Sequence, residues 1–385
     1  MDEVFDVVVV GAGAVGAACA YYASRAGLSV AVVDRGSPAG GTTGAGEGNL
    51  LVSDKEPGPE LELALLSASL WRKIAAELGD RVEYEAKGGV VVAADQAGLT
   101  ALRELAARQA ESGVRMRTVH GDRLRELEPA LAPGLAGAVH YPEDAQVQPA
   151  LAAAELLRRA REAGARCHWG ETVTGIRTGP GGAVRGVRTD RGRLSAAAVV
   201  NAAGVLGGEL ASAAGVFLPV LPRRGFVLVT EPVPRVVRHK VYAADYVADV
   251  ASGTAALQTS PVVEGTPAGP LLIGASRERV GFDRTLSTEA VRRLAAGAVR
   301  LFPVLAGLRA LRVYCGFRPY LPDHLPAIGP DPRVPGLLHA CGHEGAGIGL
   351  APATGLLISQ MLIGQRPSLD PAPFRPERFA PAPAT

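Results

Sequence analysis

The chain is poor in the residues that build metal and redox centres. Its four cysteines, Cys19, Cys167, Cys315 and Cys341, lie far apart with no C-x-x-C pair. Neither a zinc site nor an iron–sulfur cluster is therefore encoded, and no metal is expected. The thiols fit a reducing compartment, so the expected location is cytoplasmic. Charge of one sign is also lacking: 40 Lys and Arg stand against 38 Asp and Glu, a net charge of +2. Without a broad basic field, nucleic acid is not an expected partner. No apolar run reaches membrane-spanning length, and the apolar N-terminus is too short for a signal peptide and has no basic leader. No internal repeat is visible. The 48 glycines and 29 prolines are spread through strands and turns. At 385 residues, two domains are the default.

What the chain does have begins at Val4. Val4–Val10 is a run of strand formers without alternation, as in a strand buried on both faces of a parallel sheet. Gly11-Ala12-Gly13-Ala14-Val15-Gly16 follows, then a helix to about Ala26 and a second strand, Leu28–Val33, ending in Asp34. Gly11 permits the tight turn, Gly13 a close approach to a pyrophosphate, and Gly16 close packing of helix on strand. The helix start points N–H groups and the positive end of its dipole at the phosphates. Asp34 is placed to accept hydrogen bonds from an adenosine ribose, which argues against a 2′-phosphate and hence against NADP. NAD and FAD both remain open at this point. Beyond Asp34 and Arg35, glycines surround Thr42, Thr43 and Asn49 in a segment that cannot form a stable helix but can offer N–H groups and hydroxyls to a polar ligand.

Further along, apolar spacing predicts helices over Glu60–Leu78, Leu99–Ala110 and from Pro149 to Ala163. Strands are expected at Gly89–Ala94, Gly137–Tyr141, Arg166–Trp169 and Glu171–Arg177, with a hairpin of Val184–Thr189 and Leu194–Asn201. Phe226–Thr230, Lys240–Val250, Thr254–Thr259 and Leu271–Ala275 suggest a second, largely antiparallel unit. Ser287 or Thr288 caps a helix to about Leu301, Leu311–Phe317 returns as a strand, and Leu337–Ala340 is the last strand. A helix is expected from Pro352 to Leu362, followed by an extended or frayed proline-rich tail after Gln365. Arg223-Arg224 reads as a solvated or phosphate-facing turn.

A second glycine element, Gly342 to Pro352, again joins a strand to a helix and makes another site for negative charge. Two such elements, one toward each end of the chain, suit a long ligand with a pyrophosphate at one end and a ring that develops charge at the other. A flavin dinucleotide is such a ligand, because its reduction places negative charge on the ring. NAD needs no second anchor of this kind, so FAD is the expected cofactor.

The chain resembles the D-amino-acid oxidase-like flavoproteins, a family that includes glycine oxidase, sarcosine oxidase and the D-hydroxyproline and proline dehydrogenases. The residues that carry the likeness are Gly11–Gly16 with Asp34, Gly41-Thr42-Thr43 through Gly48-Asn49-Leu50, and Tyr141-Pro142-Glu143-Asp144. Val173, Asn201-Ala202-Ala203-Gly204, Gly316 to Asp323 and the loop Gly342–Gly355 complete it. The segment Gly46–Pro59 looks most like the D-hydroxyproline dehydrogenase, opine oxidase and hydrogen cyanide synthase branch. Asp34 stands where the family often has Glu, which leaves the ribose role intact.

The resemblance implies an α/β fold: an FAD-binding Rossmann-like (glutathione-reductase-type) domain with a second, mostly antiparallel β substrate domain. The first would be discontinuous, over residues 1–85, 135–220 and 312–376; the second would take 86–134 and 221–311. The cofactor residues expected are Gly11, Gly13, Ala14, Val15, Gly16, Asp34, Arg35, Thr42, Thr43, Gly48, Asn49, Leu50, Val173, Ala203 and Gly204. Gly316, Gly342, Gly345, Gly347, Ile348, Gly349 and Leu350 are expected around the ring. Cys315 lies near where sarcosine oxidases attach flavin covalently, but the local pattern differs and noncovalent FAD is expected. Arg318, in a segment bounded by Gly316 and Pro319, is expected to hold a substrate carboxylate through two parallel hydrogen bonds. The alternative is a structural ion pair with Asp323 or another acid. His343 is a catalytic candidate able to titrate near neutrality, and Tyr246 and Tyr242 are candidate substrate-pocket residues.

The reaction expected is hydride transfer from Cα of a small D-amino acid or cyclic secondary amino acid, D-hydroxyproline- or proline-like, to flavin N5. The imine formed then hydrolyses. The protein would be an FAD-dependent oxidase or dehydrogenase acting on CH–NH or CH–NH2 donors, with a small-molecule amino-acid substrate. A partner subunit or homo-oligomer is possible, as in a hetero-oligomeric dehydrogenase of the opine oxidase, proline dehydrogenase or hydrogen cyanide synthase type. A flavin-binding scaffold without turnover is the alternative from another class.

Overall fold

The computed structural model describes residues 3–246 and 253–379. Val4–Val10 lies inside a sheet with Gly192–Asn201 on one side and Val30–Asp34 on the other, both parallel to it. Leu337–Cys341 and Arg166–Trp169 extend that parallel order outward, and Ala327–Pro330 adds an antiparallel edge. Because side chains alternate along a strand, Val7 and Val9 enter one core while Val8 and Val10 enter another. From Val7 on, both faces are thus apolar, which accounts for four valines in succession. Each such side chain contributes roughly 1.5–3 kcal/mol by leaving water.

A second sheet of eight strands runs Ala310–Tyr320, Leu221–Thr230, Leu271–Arg277, Gln258–Gly265, Lys240–Ala243, Gly89–Ala93, Gly137–Tyr141, Arg117–His120. Every pairing is antiparallel except Lys240–Ala243 on Gly89–Ala93. Helix Thr288–Leu301 packs its apolar face on this sheet, with Ser287 capping Ala290 N–H. Gly137–Tyr141, grouped by sequence with the nucleotide-binding segment, hydrogen-bonds to Gly89–Ala93, so the second sheet extends past residue 135. Of the strand expected over Lys240–Val250, only Lys240–Ala243 forms, and residues 247–250 lie outside the described residues. The strand expected at Thr254–Thr259 starts at Gln258 and runs on to Gly265.

The C-terminal helix corrects another expectation. It starts at Gly347, with Pro352 inside rather than at its head. Proline removes the N–H that would bond to Ile348 O, a loss usually incompatible with a helix interior. Here Trp71 Nε1 donates to Ile348 O at 3.1 Å, and Ser67 Oγ donates to Gly349 O at 2.6 Å. The long helix Pro59–Leu78 thus supplies the missing donors. Glu344–Leu362 spans 19 residues and is long and apolar enough to cross a membrane. Its apolar faces are instead packed against Ala14–Arg25 and Pro59–Leu78. At Gly355 it meets Ala14–Arg25 so closely that a Cβ would stand 2.6 Å from Ala18 O. The tail is not frayed over its described part. Phe374 is fully buried, and Arg378 donates to Asp323 and to the carbonyls of Leu325 and Pro326.

Trp71→Phe keeps the ring but leaves Ile348 O unpaired. It should lower stability by ~1–2 kcal/mol, read as a lower thermal midpoint with unchanged far-ultraviolet circular dichroism.

Candidate active site

The first helix begins at Gly13 with no side-chain cap and no acidic residue in its first turn. Its N–H groups and dipole are therefore available to an anion. Gly11 and Gly16 serve packing: a Cβ on Gly11 would stand 2.8 Å from Ala202 C, and one on Gly16 2.9 Å from Gly11 C. At Gly13 a Cβ would meet only Thr43 Oγ1, at 3.0 Å, so this residue leaves the approach to the helix open. Asp34 Oδ2 accepts from Ala12 N–H (2.7 Å) and Oδ1 from Gly36 N–H (2.8 Å). These bonds fix the carboxylate while leaving each oxygen a second lone pair for a ribose hydroxyl. Buried Asn201 holds the facing turn, accepting from Ala203 N–H and donating to Gly207 O.

An outer trough runs past Asp34, Arg35, Val173, Ala203 and Gly204. An inner cavity runs from Gly13–Val15 to Gly316, Arg318, His343 and Ile348. Both are lined by Gly13, Thr42, Thr43, Ala202 and Gly204, so they form one groove bordered by the front and the back of the chain. The groove fits the expected flavin dinucleotide: an uncapped helix start and a held carboxylate at one end, a second uncapped helix start, at Gly347, at the other. Asn49 Oδ1, buried on the inner wall with no hydrogen-bond partner, suits a ring N–H donor.

Arg318 lies on strand Ala310–Tyr320 and looks into the inner cavity. Gly225 on the paired strand makes room, since a Cβ there would stand 2.9 Å from Arg318 Cζ. Its one hydrogen bond to a described residue is Nη1 to Ser276 O, 2.8 Å. Burial and the neighbouring charge of Arg277 push Arg318 down to about 10, so it remains a cation at neutral pH. Asp323 is engaged by Arg378 instead, so the expected alternative of an Arg318–Asp323 pair does not form. Arg277 is 3% exposed, stacks 4.6 Å from the Tyr246 ring centroid, and keeps Nη1 buried without a partner.

His343 is buried and lines the cavity, but burial holds it down to about 3, so it is neutral rather than poised near neutrality. The Thr354 hydroxyl donates to Leu350 O (3.0 Å), which makes His343 Nε2 the donor to Thr354 Oγ1 and leaves Nδ1 as an acceptor. Glu344 is driven up by burial but brought down to about 2 by bonds from His324 and the charge of Arg223. Arg223 and Arg224 are not a turn. They sit buried on strand Leu221–Thr230, and strand alternation sends them to different acids, Glu344 for one and Glu278 with Asp283 for the other.

Not every expected residue reaches the groove. Tyr242 is fully buried with its hydroxyl 2.5 Å from Ser53 Oγ, behind Tyr246 rather than in the cavity. Gly48, Gly342 and Gly349 are packing contacts, against Val147, Leu321 and Asn49, and Leu50 and Leu350 are core. Cys315 packs near the second sheet's core, away from the cavity lining. Two groups escaped sequence reasoning: Glu47, which lines the cavity, and Arg277. The only local signals were an acid set between Gly46 and Gly48, and a polar end on an apolar strand.

Residues 6–361 match the family of FAD dependent oxidoreductases, DAO. Hydrogen cyanide synthase subunit HcnC of Pseudomonas aeruginosa is 32% identical over 100% of this chain and 98% of that protein. Glycine oxidase of Geobacillus kaustophilus is 30% identical over 97% of each. A crystal structure of glycine oxidase from Geobacillus kaustophilus superposes with a TM-score of 0.89 at 28% identity, covering 98% of this chain and 100% of that one. L-proline dehydrogenase from P. horikoshii shares the fold, with a TM-score of 0.89 at 23% identity over 98% of each chain.

Asp34→Ala removes the carboxylate expected at the ribose and should weaken FAD ~10- to 100-fold, measured by flavin fluorescence on titrating apoprotein. A second expectation concerns acid. Unfolded His343 binds a proton near 6.5 and folded His343 only near 3; Glu344 behaves alike between its usual carboxylate range and about 2. At these two groups the unfolded chain holds more protons, so the stability they contribute falls as pH drops from about 6.5 toward 3. His343→Gln should flatten the upper part of that slope in thermal melts.

Proposed function

The chain belongs to the DAO family of FAD-dependent oxidoreductases, and from that premise we propose that it oxidises the Cα–N bond of a small amino acid. Cyclic secondary amino acids of the D-hydroxyproline or proline kind are the favoured candidates. The observation that carries this reading is Arg318, a buried guanidinium lining the inner cavity whose one hydrogen bond to a described residue goes to a neutral carbonyl. No carboxylate of the described residues bonds its fork, although Glu47 and Glu344 lie nearby, so the fork is free to take a carboxylate from outside, and a substrate's is the natural one.

Bound in the groove, FAD supplies the acceptor for the hydride leaving the substrate. The chain's own groups bind and orient. Arg318 grips the carboxylate in a planar fork and fixes the direction of the Cα–H bond. Arg277, stacked beside it on Tyr246, adds a second positive charge to the same region. The Tyr246 ring lines the wall and keeps water from the reacting carbon. His343 offers a fixed neutral acceptor at Nδ1 rather than a titrating base. A second reading, one flavin subunit of a larger complex passing electrons to a partner, is favoured by the likeness to a protein named as a hydrogen cyanide synthase subunit. Co-purification of a second polypeptide, or turnover only with artificial acceptors and no peroxide, would select it.

An anaerobic panel of D- and L-amino acids should include at least one that bleaches the flavin; none doing so would leave a scaffold without turnover. Arg318→Ala should cut that rate ~10²-fold or more with FAD still bound. Near-normal reduction in the variant would reassign the carboxylate anchor.

A further inference from the structure

The cavity that holds Arg318 also holds an acid. Glu47 lines it with a side chain 5% exposed, and its Oε1 is buried with no hydrogen-bond partner. Lys240 Nζ stands 3.8 Å from that oxygen but is bonded to Glu264, and Lys87 is engaged by Glu85. Lys240 thus serves Glu264 first, and Glu47 keeps one carboxylate oxygen without a hydrogen-bond donor at the border of the cavity. The strand Leu271–Arg277 is shaped around it: a Cβ on Gly274 would stand 2.7 Å from Glu47 Cδ. Glu47 and Arg318 line one space without pairing with each other. A buried acid and a buried base so arranged complement a zwitterion, with carboxylate and ammonium on the same carbon.

We propose that Glu47 receives the ammonium group of the substrate and takes its proton. This assignment rests on the amine-oxidation reading above and narrows it to substrates that bind as zwitterions, in preference to 2-hydroxy acids of the same shape. One N–H bond breaks with its electron pair left on nitrogen, and one O–H bond forms on Glu47. That pair closes the C=N bond as the Cα–H bond's pair and hydrogen leave for the oxidant, the bound flavin. The substrate loses two electrons and the flavin gains them; the proton on Glu47 returns to solvent when the product leaves.

The groups facing Glu47 are Lys240 and Glu264, Arg318 and Arg277, and the phenols of Tyr314 and Tyr246. Burial raises its affinity for a proton above the usual carboxylate range, against the pull of Lys240, and a stronger base removes an ammonium proton more readily.

The test uses the FAD-loaded protein and Glu47→Gln, a variant of equal size. Dissociation constants for glycine and proline, and for the amine-free acetate and cyclopentanecarboxylate, are read from perturbation of the flavin absorption band. Glu47→Gln should weaken the amino acids ~10- to 100-fold and move the amine-free acids by no more than ~3-fold. With an amino acid that bleaches the wild type, the acid limb of the reduction rate should vanish in Glu47→Gln and persist, at lower rate, in Glu47→Asp. Equal losses for both ligand classes, unchanged amino-acid binding, or an acid limb surviving in Glu47→Gln would overturn the assignment. Failure of the amine-oxidation reading looks different: amino acids would bind in a Glu47-dependent way and never bleach the flavin.

Discussion

Two helices from opposite ends of the chain touch backbone to backbone where Gly355 meets Ala18, and the groove depends on that contact. A side chain at Gly355 would drive the C-terminal helix off Ala14–Arg25. With the helices held together, their N-termini open onto the same groove, one at Gly13 and the other at Gly347. Each contributes a partial positive charge fixed by folding rather than by ligand binding. Pro352 leaves carbonyls in that helix short of a donor, and Ser67 and Trp71 steady the pairing by supplying them at a distance from any ligand. Packing of small residues here sets the electrostatics of the site.

The inner cavity shows the complementary principle. Most charges buried in this molecule meet a partner, as Arg223 meets Glu344 and Lys240 meets Glu264. Arg318 bonds only a carbonyl among the described residues, and Arg277 Nη1 and Glu47 Oε1 have no hydrogen-bond partner. Burying a polar group without its hydrogen bonds is costly, so Glu47 and Arg318 on the cavity lining, with Arg277 stacked on Tyr246 beside it, stand apart from the structural pairs around them. Glycines at 225 and 274 make the space these side chains occupy.

Local chemistry was legible in the sequence where neighbours along the chain create it. The strand, glycine turn and helix of Val4–Arg25 announce themselves, and Asp34 closes the unit at a fixed spacing. Arg318 was also legible, because a glycine and a proline bracket it. What could not be read depends on residues far apart. Glu47 acquires meaning only when Gly274 and Lys240 arrive beside it, and Arg277 only when Tyr246 stacks on it. Arg223 and Arg224 look like a solvated pair until a strand sends them to opposite faces. Tyr242 and Tyr246 look equivalent by type, yet Ser53 captures one and the cavity keeps the other.

The segment after the C-terminal helix gives the site an outside dependence. Phe374 anchors it in the core and Arg378 ties it to the turn around Asp323–Pro326, a few residues beyond Arg318. Inherited changes or fusion partners that pried this strap loose would disturb the wall that carries Arg318 from the molecule's exterior. Sequence surveys that weigh only cavity-lining positions would score such variants as silent.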